Sequence, residues 1–362
     1  MRPSKTVFII GAGASSEVGI PSGRKFLDIV SEKLNFQFHR PSLASGLGDH
    51  GILDVIQNKY AHDLQTLKSY VAAAQRIREG VIFSRSIDSF IDAHRDDQKI
   101  QLLGKLAIAK TILEQEQQSA LHRGLPEVRF QDIPKLNQSW FVVLARGLND
   151  GVWRNEIDRV FERVSFIVFN YDRCVEHFLY NAIQEHFGVD QPTAKSVMQH
   201  LTILHPYGMI AKLRWQGDCG IPFGFPANRQ NLMMMADQIK TYTEQIEDND
   251  TLSAIKREVE DTEALVFLGF SYQDLNIKLL DPGKECTVRS VYGTAYEISD
   301  SNVEEIKEQL RRLVGHSLAE SRMRGSQETI SERLYIRSHL KCAELLEEYS
   351  RSLFVTGRRS QS

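Results

Sequence analysis

A glycine-rich segment near the start of the chain has the residue types of a ligand-binding turn. The segment Gly11–Ser15 reads Gly-Ala-Gly-Ala-Ser and follows a short apolar run. Gly11 permits a tight turn, and Gly13, which lacks a Cβ, lets the backbone approach a ligand. The N–H groups of Ala12–Ala14 and the Ser15 hydroxyl can then hold a pyrophosphate at the start of the next helix. An ordinary glycine-rich turn between a strand and a helix explains the same residues.

A hydride-transferring dehydrogenase is disfavoured by two features of this region. Ser16 stands at the third glycine of the dinucleotide-binding fingerprint. That fingerprint also needs an acidic residue after a second strand. The acidic residues at about the right distance, Asp28 and Glu32, fall instead inside the helical pattern of Phe26–Leu34.

Polar residues also follow three later apolar runs. Asn170 and Asp172 come after the second run, His205 after the third, and Ser271 after the fourth. An imidazole titrates near neutral pH and can act as a base, and an asparagine amide can orient a water molecule or a hydroxyl group. The first three residues each have a structural alternative: a turn asparagine, a helix N-cap aspartate and a histidine bonded to backbone.

These side chains need elements that position them. Five apolar runs predict strands: Val7–Ile10, Ser165–Phe169, Leu201–Leu204, Ala264–Phe270 and Val288–Tyr292. Helical patterns alternate with the runs, so the sequence predicts an α/β fold with a Rossmann-like parallel sheet. We expect a Rossmann-type domain of residues 1–50 and 154–300, a helical insertion of residues 51–153, and a C-terminal helical segment of residues 301–362.

Composition narrows the classes of function. The 362 residues include 44 Lys and Arg against 47 Asp and Glu, and the net charge of −3 disfavours direct binding of nucleic acid. The apolar runs are too short to cross a bilayer, and no signal peptide is expected. The 4 cysteines form no Cys-x-x-Cys pair. This predicts no zinc ribbon and suits a reducing cytoplasm.

Several motifs together resemble the sirtuin superfamily, in particular its SIR2-like branch in prokaryotic antiphage defence proteins. The opening motif of that branch is matched without a gap at Gly11, Ala12, Gly13, Ser15, Gly19, Ile20, Pro21 and Arg24. Similar later motifs follow in order at Ser86–Phe90, Phe169–Asp172, Leu204–Gly208 and Gly269–Asp274.

The resemblance implies that NAD⁺ is the substrate and that its bond between nicotinamide and ribose is broken, with no metal. It implies His205 as the base and Asn170 as the residue that orients water and ribose. It implies Asp172 as a partner of the nicotinamide carboxamide or of Asn170. It assigns dinucleotide binding to Gly11, Ala12, Gly13, Ser15, Pro21, Arg24, Gly269, Ser271 and Gly293. It also implies control by a homo-oligomer or by a partner defence protein.

Two departures from the family bear on function. Pro206 and Tyr207 separate His205 from the glycine that usually follows it, and Gly23 stands where protein-deacylating sirtuins carry a phenylalanine. Those deacylases also need a zinc-ribbon module that the cysteines here cannot build. The expected activity is therefore hydrolysis of NAD⁺, as a defence effector that depletes NAD⁺. Two alternatives stay open: an NAD-dependent protein deacylase, and a regulatory module that binds NAD⁺ or ADP-ribose without hydrolysing it.

Overall fold

The computed structural model describes residues 5–39, 42–44, 48–124, 128–284, 286–315 and 333–354. The strands in these ranges are β1 (Thr6–Ile10), β2 (Gln37–His39), β3 (Ser42–Ala44), β4 (Val164–Val168), β5 (Thr202–Leu204), β6 (Ala264–Leu268), β7 (Ser290–Thr294) and β8 (Leu334–Arg337). A 6-stranded sheet has the order β5-β4-β1-β6-β7-β8, with every pair parallel. The predicted α/β class with a Rossmann-like parallel sheet is confirmed.

The central strand β1 forms because its side chains are apolar and can be covered on both faces of the sheet. Val7, Phe8, Ile9 and Ile10 are 0% exposed. The strand pairs in register with β4 on one side and β6 on the other. Strands buried on both faces read as continuous apolar runs rather than alternating ones. This is why β1, β4 and β6 are recognisable in the sequence.

The order of the strands reverses at β1. The chain places β4 and β5 on one side of β1, and β6, β7 and β8 on the other. In open α/β sheets of this kind, ligands bind in the crevice beyond the carboxyl ends of the strands at the reversal point. The turns that follow β1, β4 and β6 are therefore the place to look for a site.

Helices surround the sheet and form the insertion. They are α1 (Ala12–Ser15), α2 (Gly23–Lys33), α3 (His50–Lys59), α4 (Leu64–Gly80), α5 (Ile87–Ala93), α6 (Gln98–Gln118), α7 (Trp140–Asn149), α8 (Cys174–Phe187), α9 (Gln191–Met198), α10 (Arg229–Gln238), α11 (Tyr242–Glu247), α12 (Asn249–Glu260), α13 (Asp274–Leu280), α14 (Asp300–Val314), α15 (Cys342–Glu348) and α16 (Ser350–Leu353). The predicted helical insertion corresponds to α3–α7. Its 21-residue helix α6 contacts α2 and α10, so the insertion packs against the rest of the chain.

Two elements differ from the sequence predictions. Residues after Gly293 were expected to be helical, but 334–337 form the edge strand β8. Leu334 and Ile336 are buried in β8 while Tyr335 and Arg337 are only half-buried, so the strand has too few apolar residues to stand out. The chain also forms a hairpin of β2 and β3, which the sequence analysis did not predict. The five predicted strands are present, each within two residues of its expected ends.

Candidate active site

A cavity of about 500 Å³ lies at the carboxyl ends of β1, β4 and β6. This volume is in the range of small-molecule sites in proteins. The predicted site residues among those that line it are Gly11, Ala12, Gly13, Asn170, Gly269 and Ser271. The structure therefore brings together residues from three separate turns, as the sequence analysis expected.

A smaller cavity of about 120 Å³ adjoins the first and shares Ala12 and Asn170 with it. Part of its wall is apolar and comes from Ile20, Pro21, Phe26, Leu27 and Ile112. Asp172 also lines this cavity. Pro21 and Asp172, both predicted site residues, thus lie beside the smaller space rather than the larger one.

The glycines of the turn after β1 allow close packing against the turn after β6. A Cβ on Gly11 would lie 2.5 Å from Gly269 O, and one on Gly13 would lie 2.9 Å from the same oxygen. Gly13 N–H donates to Gly269 O at 2.9 Å, and Ala14 N–H donates to Gly11 O at 3.0 Å. The structure corrects the expectation that these two N–H groups hold a pyrophosphate, because the protein backbone already occupies them.

Asn170 lies at the centre of a buried polar network. Its Nδ2 donates to Gly11 O at 3.2 Å and to Ser15 Oγ at 3.0 Å. Ser15 Oγ in turn donates to Asp172 Oδ2 at 2.8 Å, and Asp172 Oδ1 accepts from Cys174 N–H at 3.1 Å at the start of α8. Ser15 is therefore a buried linker and not a phosphate contact. Asp172 accepts from the first N–H of α8 and fixes Ser15 at the same time.

The other end of the Asn170 amide is unused. Its Oδ1 is buried and has no hydrogen-bond partner among the residues that the structure describes. A buried polar atom without a partner is costly and calls for an explanation. Since Asn170 lines both cavities, a donor group on a bound molecule can satisfy this oxygen.

His205 lies next to this network but lines neither cavity. Its side chain is 5% exposed. Nδ1 donates to Asn170 O at 3.2 Å, and Nε2 donates to Glu176 Oε1 at 2.6 Å. Both partners are acceptors, so both ring nitrogens carry protons. The structure corrects the expectation that this ring faces the ligand as a base; it holds the backbone of Asn170 instead.

The pKa of His205 agrees with this arrangement. Burial alone lowers it, but the Glu176 carboxylate and the Asn170 carbonyl outweigh burial and raise the pKa above 6.5. The charged imidazolium is therefore the form that this environment favours.

Two other predicted residues lie away from the cavities. The Arg24 side chain is 63% exposed and pairs with Asp28 at 3.1 Å. Gly293 lies within β7, where a Cβ would meet Tyr272 Oη and Ile336 Cδ1. Gly293 is thus needed for packing. Arg85, from the insertion, lines both cavities and provides the positive charge expected from Arg24.

The insertion also supplies residues that sequence reasoning left without a role. Ser86 and Asp88 line both cavities, and Asp92 lines the larger one. Ser86 Oγ accepts from Ser89 N–H at 3.1 Å and caps α5. A signal was present in the sequence, because Ser86–Phe90 resembles a family motif. The position of this segment in the sequence did not show that it lies opposite the glycine-rich turn after β1.

Three ionisable groups at the two cavities, Asp88, Tyr171 and Tyr207, have raised pKa values. Burial raises the pKa of Asp88, and a hydrogen bond from Tyr171 partly opposes this. Burial and the nearby Asp88 charge also raise the pKa values of Tyr171 and Tyr207. These tyrosines therefore stay protonated as donors, and Tyr207 Oη donates to Asn276 Oδ1 at 2.6 Å.

A third cavity of about 440 Å³ shares the contact between Gly13 and Gly269 with the first. Its wall includes Tyr296 and Lys341, whose Nζ lies 5.2 Å from the centroid of the Tyr296 ring. An aromatic ring and a cation thus line a cavity on the other side of the Gly13–Gly269 contact.

Among the described residues, no group of three or more His, Cys, Asp or Glu side chains is placed to hold a metal ion. In the same part of the chain, no helix combines the length and apolar character needed to cross a membrane. The chain matches no protein-family model and no curated protein. Function must therefore be inferred from the geometry and chemistry of this site.

Proposed function

We propose that this protein hydrolyses NAD⁺ to nicotinamide and ADP-ribose. The observation that carries the proposal is the buried Oδ1 of Asn170, which has no partner among the described residues, on a residue that lines cavities of about 500 Å³ and 120 Å³. An amide oxygen accepts a hydrogen bond from a ribose hydroxyl or from an attacking water. This is the role that the family resemblance implies for Asn170.

The two cavities suit the two sides of the bond that breaks. The smaller has an apolar wall that includes Pro21 and Phe26, with Asp172 as a polar partner, which suits a flat ring bearing a carboxamide. The nicotinamide ring of NAD⁺ carries a positive charge and becomes neutral when it leaves, so no acid has to protonate it. The remaining ribose passes through an oxocarbenium-like transition state, which a nearby carboxylate stabilises.

Positive charge for the pyrophosphate comes from the helix α2 and from Arg85 in this proposal. Ser22 and Gly23, at the N-terminus of the 11-residue α2, line both cavities together with Arg85. The first N–H groups of a helix have no partner within it and carry partial positive charge. The adenosine end of the dinucleotide then extends toward Tyr296 in the third cavity.

The test is release of nicotinamide from NAD⁺ by the purified full-length chain. Asn170→Ala should lower kcat by about 100-fold or more, because water and ribose lose the group that orients them. Asn137→Ala is the control, since Asn137 is exposed on the insertion and should leave turnover unchanged. Wild-type protein that releases no nicotinamide, either alone or with lysate of phage-infected cells, contradicts the reaction, and an Asn170→Ala variant as active as wild type contradicts the site.

One observation favours a second candidate, a module that binds NAD⁺ or ADP-ribose without hydrolysing it. His205, the expected base, has both ring nitrogens bonded inside the protein. This candidate predicts tight binding of NAD⁺ in titration calorimetry with no nicotinamide formed after prolonged incubation.

We extend the proposal to the depletion of cellular NAD⁺ in antiphage defence, restrained by self-association or by a partner protein. This extension rests on the resemblance to the SIR2-like branch. It predicts that phage infection lowers the NAD⁺ content of cells that carry the wild-type chain but not of cells that carry Asn170→Ala.

A further inference from the structure

Asp88 is a titratable side chain that the insertion carries into the cleft. It lies in the first turn of α5. It lines both the larger and the smaller cavity, as Asn170 does. The Asp88 carboxyl and the Asn170 amide therefore border the same space, although 81 residues separate them in the chain.

Tyr171 ties Asp88 to the turn after β4. Its hydroxyl donates a short hydrogen bond to Asp88 Oδ1, and its backbone carbonyl accepts from Ile210 N–H at 3.1 Å. Tyr171 directly follows Asn170, so one turn both fixes the carboxyl and presents the free amide oxygen. A carboxylate has about four acceptor positions. The bond from Tyr171 therefore leaves Asp88 able to accept a proton from a molecule in the cleft.

The surroundings of Asp88 favour proton uptake. Burial raises its pKa above 3.8, and the Tyr171 hydrogen bond only partly reverses this. A carboxylate with a raised pKa is a stronger base than an ordinary aspartate. The titratable and charged groups that line the larger cavity with Asp88 are Arg85, Asp92, Tyr207 and Tyr242. Tyr171 bonds to Asp88 directly, and Glu244, which pairs with Lys105, acts electrostatically on Tyr171.

The other candidate bases at this site are placed less favourably than Asp88. His205 lines neither cavity, and both its ring nitrogens are bonded inside the protein. Asp92 lines the larger cavity but not the smaller one that Asp88 and Asn170 also line, and its Oδ1 accepts from Thr243 Oγ1 at 2.6 Å and from Thr243 N–H at 3.3 Å. Asp92 thus anchors α11 to α5.

We propose that Asp88 is the general base of the hydrolysis, an inference that rests on the proposed NAD⁺ hydrolase function. Asp88 takes a proton from water as the water oxygen bonds to C1′ of the nicotinamide ribose. The bond from C1′ to the ring nitrogen breaks, and its electron pair passes to nicotinamide, which leaves neutral. Asp88 then releases the proton to solvent. One NAD⁺ and one water give one nicotinamide, one ADP-ribose and one proton.

The first experiment compares Asp88→Asn with Asp54→Asn in the full-length chain. Asp54 is the matched control, because it is an exposed aspartate of the same insertion that pairs with Arg229 at 2.8 Å. Asp88→Asn should lower kcat by about 100-fold or more with little change in KM, because a base acts on the chemical step. Asp54→Asn should match wild type in both constants.

The second experiment keeps the carboxylate and changes its environment. Tyr171→Phe removes a hydrogen bond that lowers the pKa of Asp88, so that pKa should rise further. The acidic limb of the profile of kcat against pH should then move to higher pH, because the base must be deprotonated to act. A purely structural role for Asp88 would not move this limb. This variant also covers the case in which Asp88→Asn fails to fold.

The outcomes separate this inference from the function on which it rests. If wild type hydrolyses NAD⁺ while Asp88→Asn keeps its kcat, or while the acidic limb of Tyr171→Phe stays in place, Asp88 is not the base and the hydrolase function stands. If wild type releases no nicotinamide, either alone or with lysate of phage-infected cells, the function and this inference are both overturned.

Discussion

At the scale of single residues, the two ends of the Asn170 amide differ: the nitrogen is bonded inside the protein and the oxygen is unpaired among the described residues. The nitrogen end is held by Gly11 O and Ser15 Oγ, while the buried oxygen end has no partner among the described residues. His205 fixes the backbone carbonyl of the same residue. A group held in place before a ligand arrives pays little to reorganise when it binds. The hydrogen bond from His205 thus helps to hold Asn170 in position, although the histidine itself does not reach the cleft.

The ion pair of His205 and Glu176 predicts how stability depends on pH. The folded protein raises the pKa of His205 above 6.5, so it binds a proton more tightly than the unfolded chain does. The stabilisation is complete below the unfolded pKa of about 6.5 and is lost as pH rises through the higher folded value. Urea unfolding of wild type across this range should show the loss, and Glu176→Gln should reduce it.

His200 offers a control for this titration. It is a half-exposed histidine that lies 3.9 Å from Asp158. His200→Gln should keep the wild-type dependence of stability on pH. An equal dependence in wild type and Glu176→Gln would show that the buried pair does not control the titration.

At the scale of elements, the site depends on two turns that approach more closely than side chains allow. The turn after β1 and the turn after β6 meet through Gly11, Gly13 and Gly269. The hydrogen bond from Gly13 N–H to Gly269 O fastens them at 2.9 Å. The glycines thus shape one wall of the cleft by allowing backbone to touch backbone.

Gly269→Ala tests this contact. Gly269 has a φ of +56°, and an added Cβ would overlap the backbone of Gly13 and Ala14. We expect a loss of about 2–5 kcal/mol in the free energy of unfolding, from left-handed strain and steric overlap together. Gly283→Ala is the matched control: its φ is +69° but nothing lies within 4 Å of the added Cβ.

The control should lose only the strain of the left-handed conformation, about 1–2 kcal/mol. Chemical denaturation of both variants measures the difference. Equal losses in Gly269→Ala and Gly283→Ala would mean that the turns separate readily and that their contact does not define the cleft.

At the scale of the whole molecule, a buried ion pair joins the insertion to the sheet. Arg173 Nε donates to Glu116 Oε1 at 2.9 Å, and both side chains are 0% exposed. Arg173 Nη1 also donates to Ile221 O at 2.7 Å, and Gly224 N–H donates to Glu116 Oε2 at 3.1 Å. Arg173 follows Asp172, so the same turn that builds the site also anchors α6.

Breaking this pair from one side should be more harmful than replacing both residues. Arg173→Met leaves a buried carboxylate without its partner and should cost about 3–5 kcal/mol, whereas Arg173→Met combined with Glu116→Leu should recover much of the loss. Arg229→Met, at the exposed pair with Asp54, should cost less than about 1 kcal/mol. A double variant as unstable as the sum of its single variants would contradict the coupling.

Sequence patterns predicted those parts of the fold in which a run of apolar residues is also buried in the folded protein. The apolar runs of β1, β4 and β6 are buried along most of their length, so they were visible without coordinates. Because parallel strands end at one edge of a sheet, the positions of Asn170 and Gly269 at the cleft also followed from the sequence. The edge strand β8 was missed because only alternate residues are buried.

The amino-acid sequence by itself determined the α/β class, the insertion and the edge of the sheet at which the cleft lies, since each depends on periodicity and on residues near one another in the chain. Only the tertiary structure decided which side chains face that cleft. His205 is bonded to Glu176 and does not line the cleft, whereas the packing of α5 brings Asp88 into it. Both results depend on contacts between residues far apart in the chain, and the spacing of residues carries no record of such contacts.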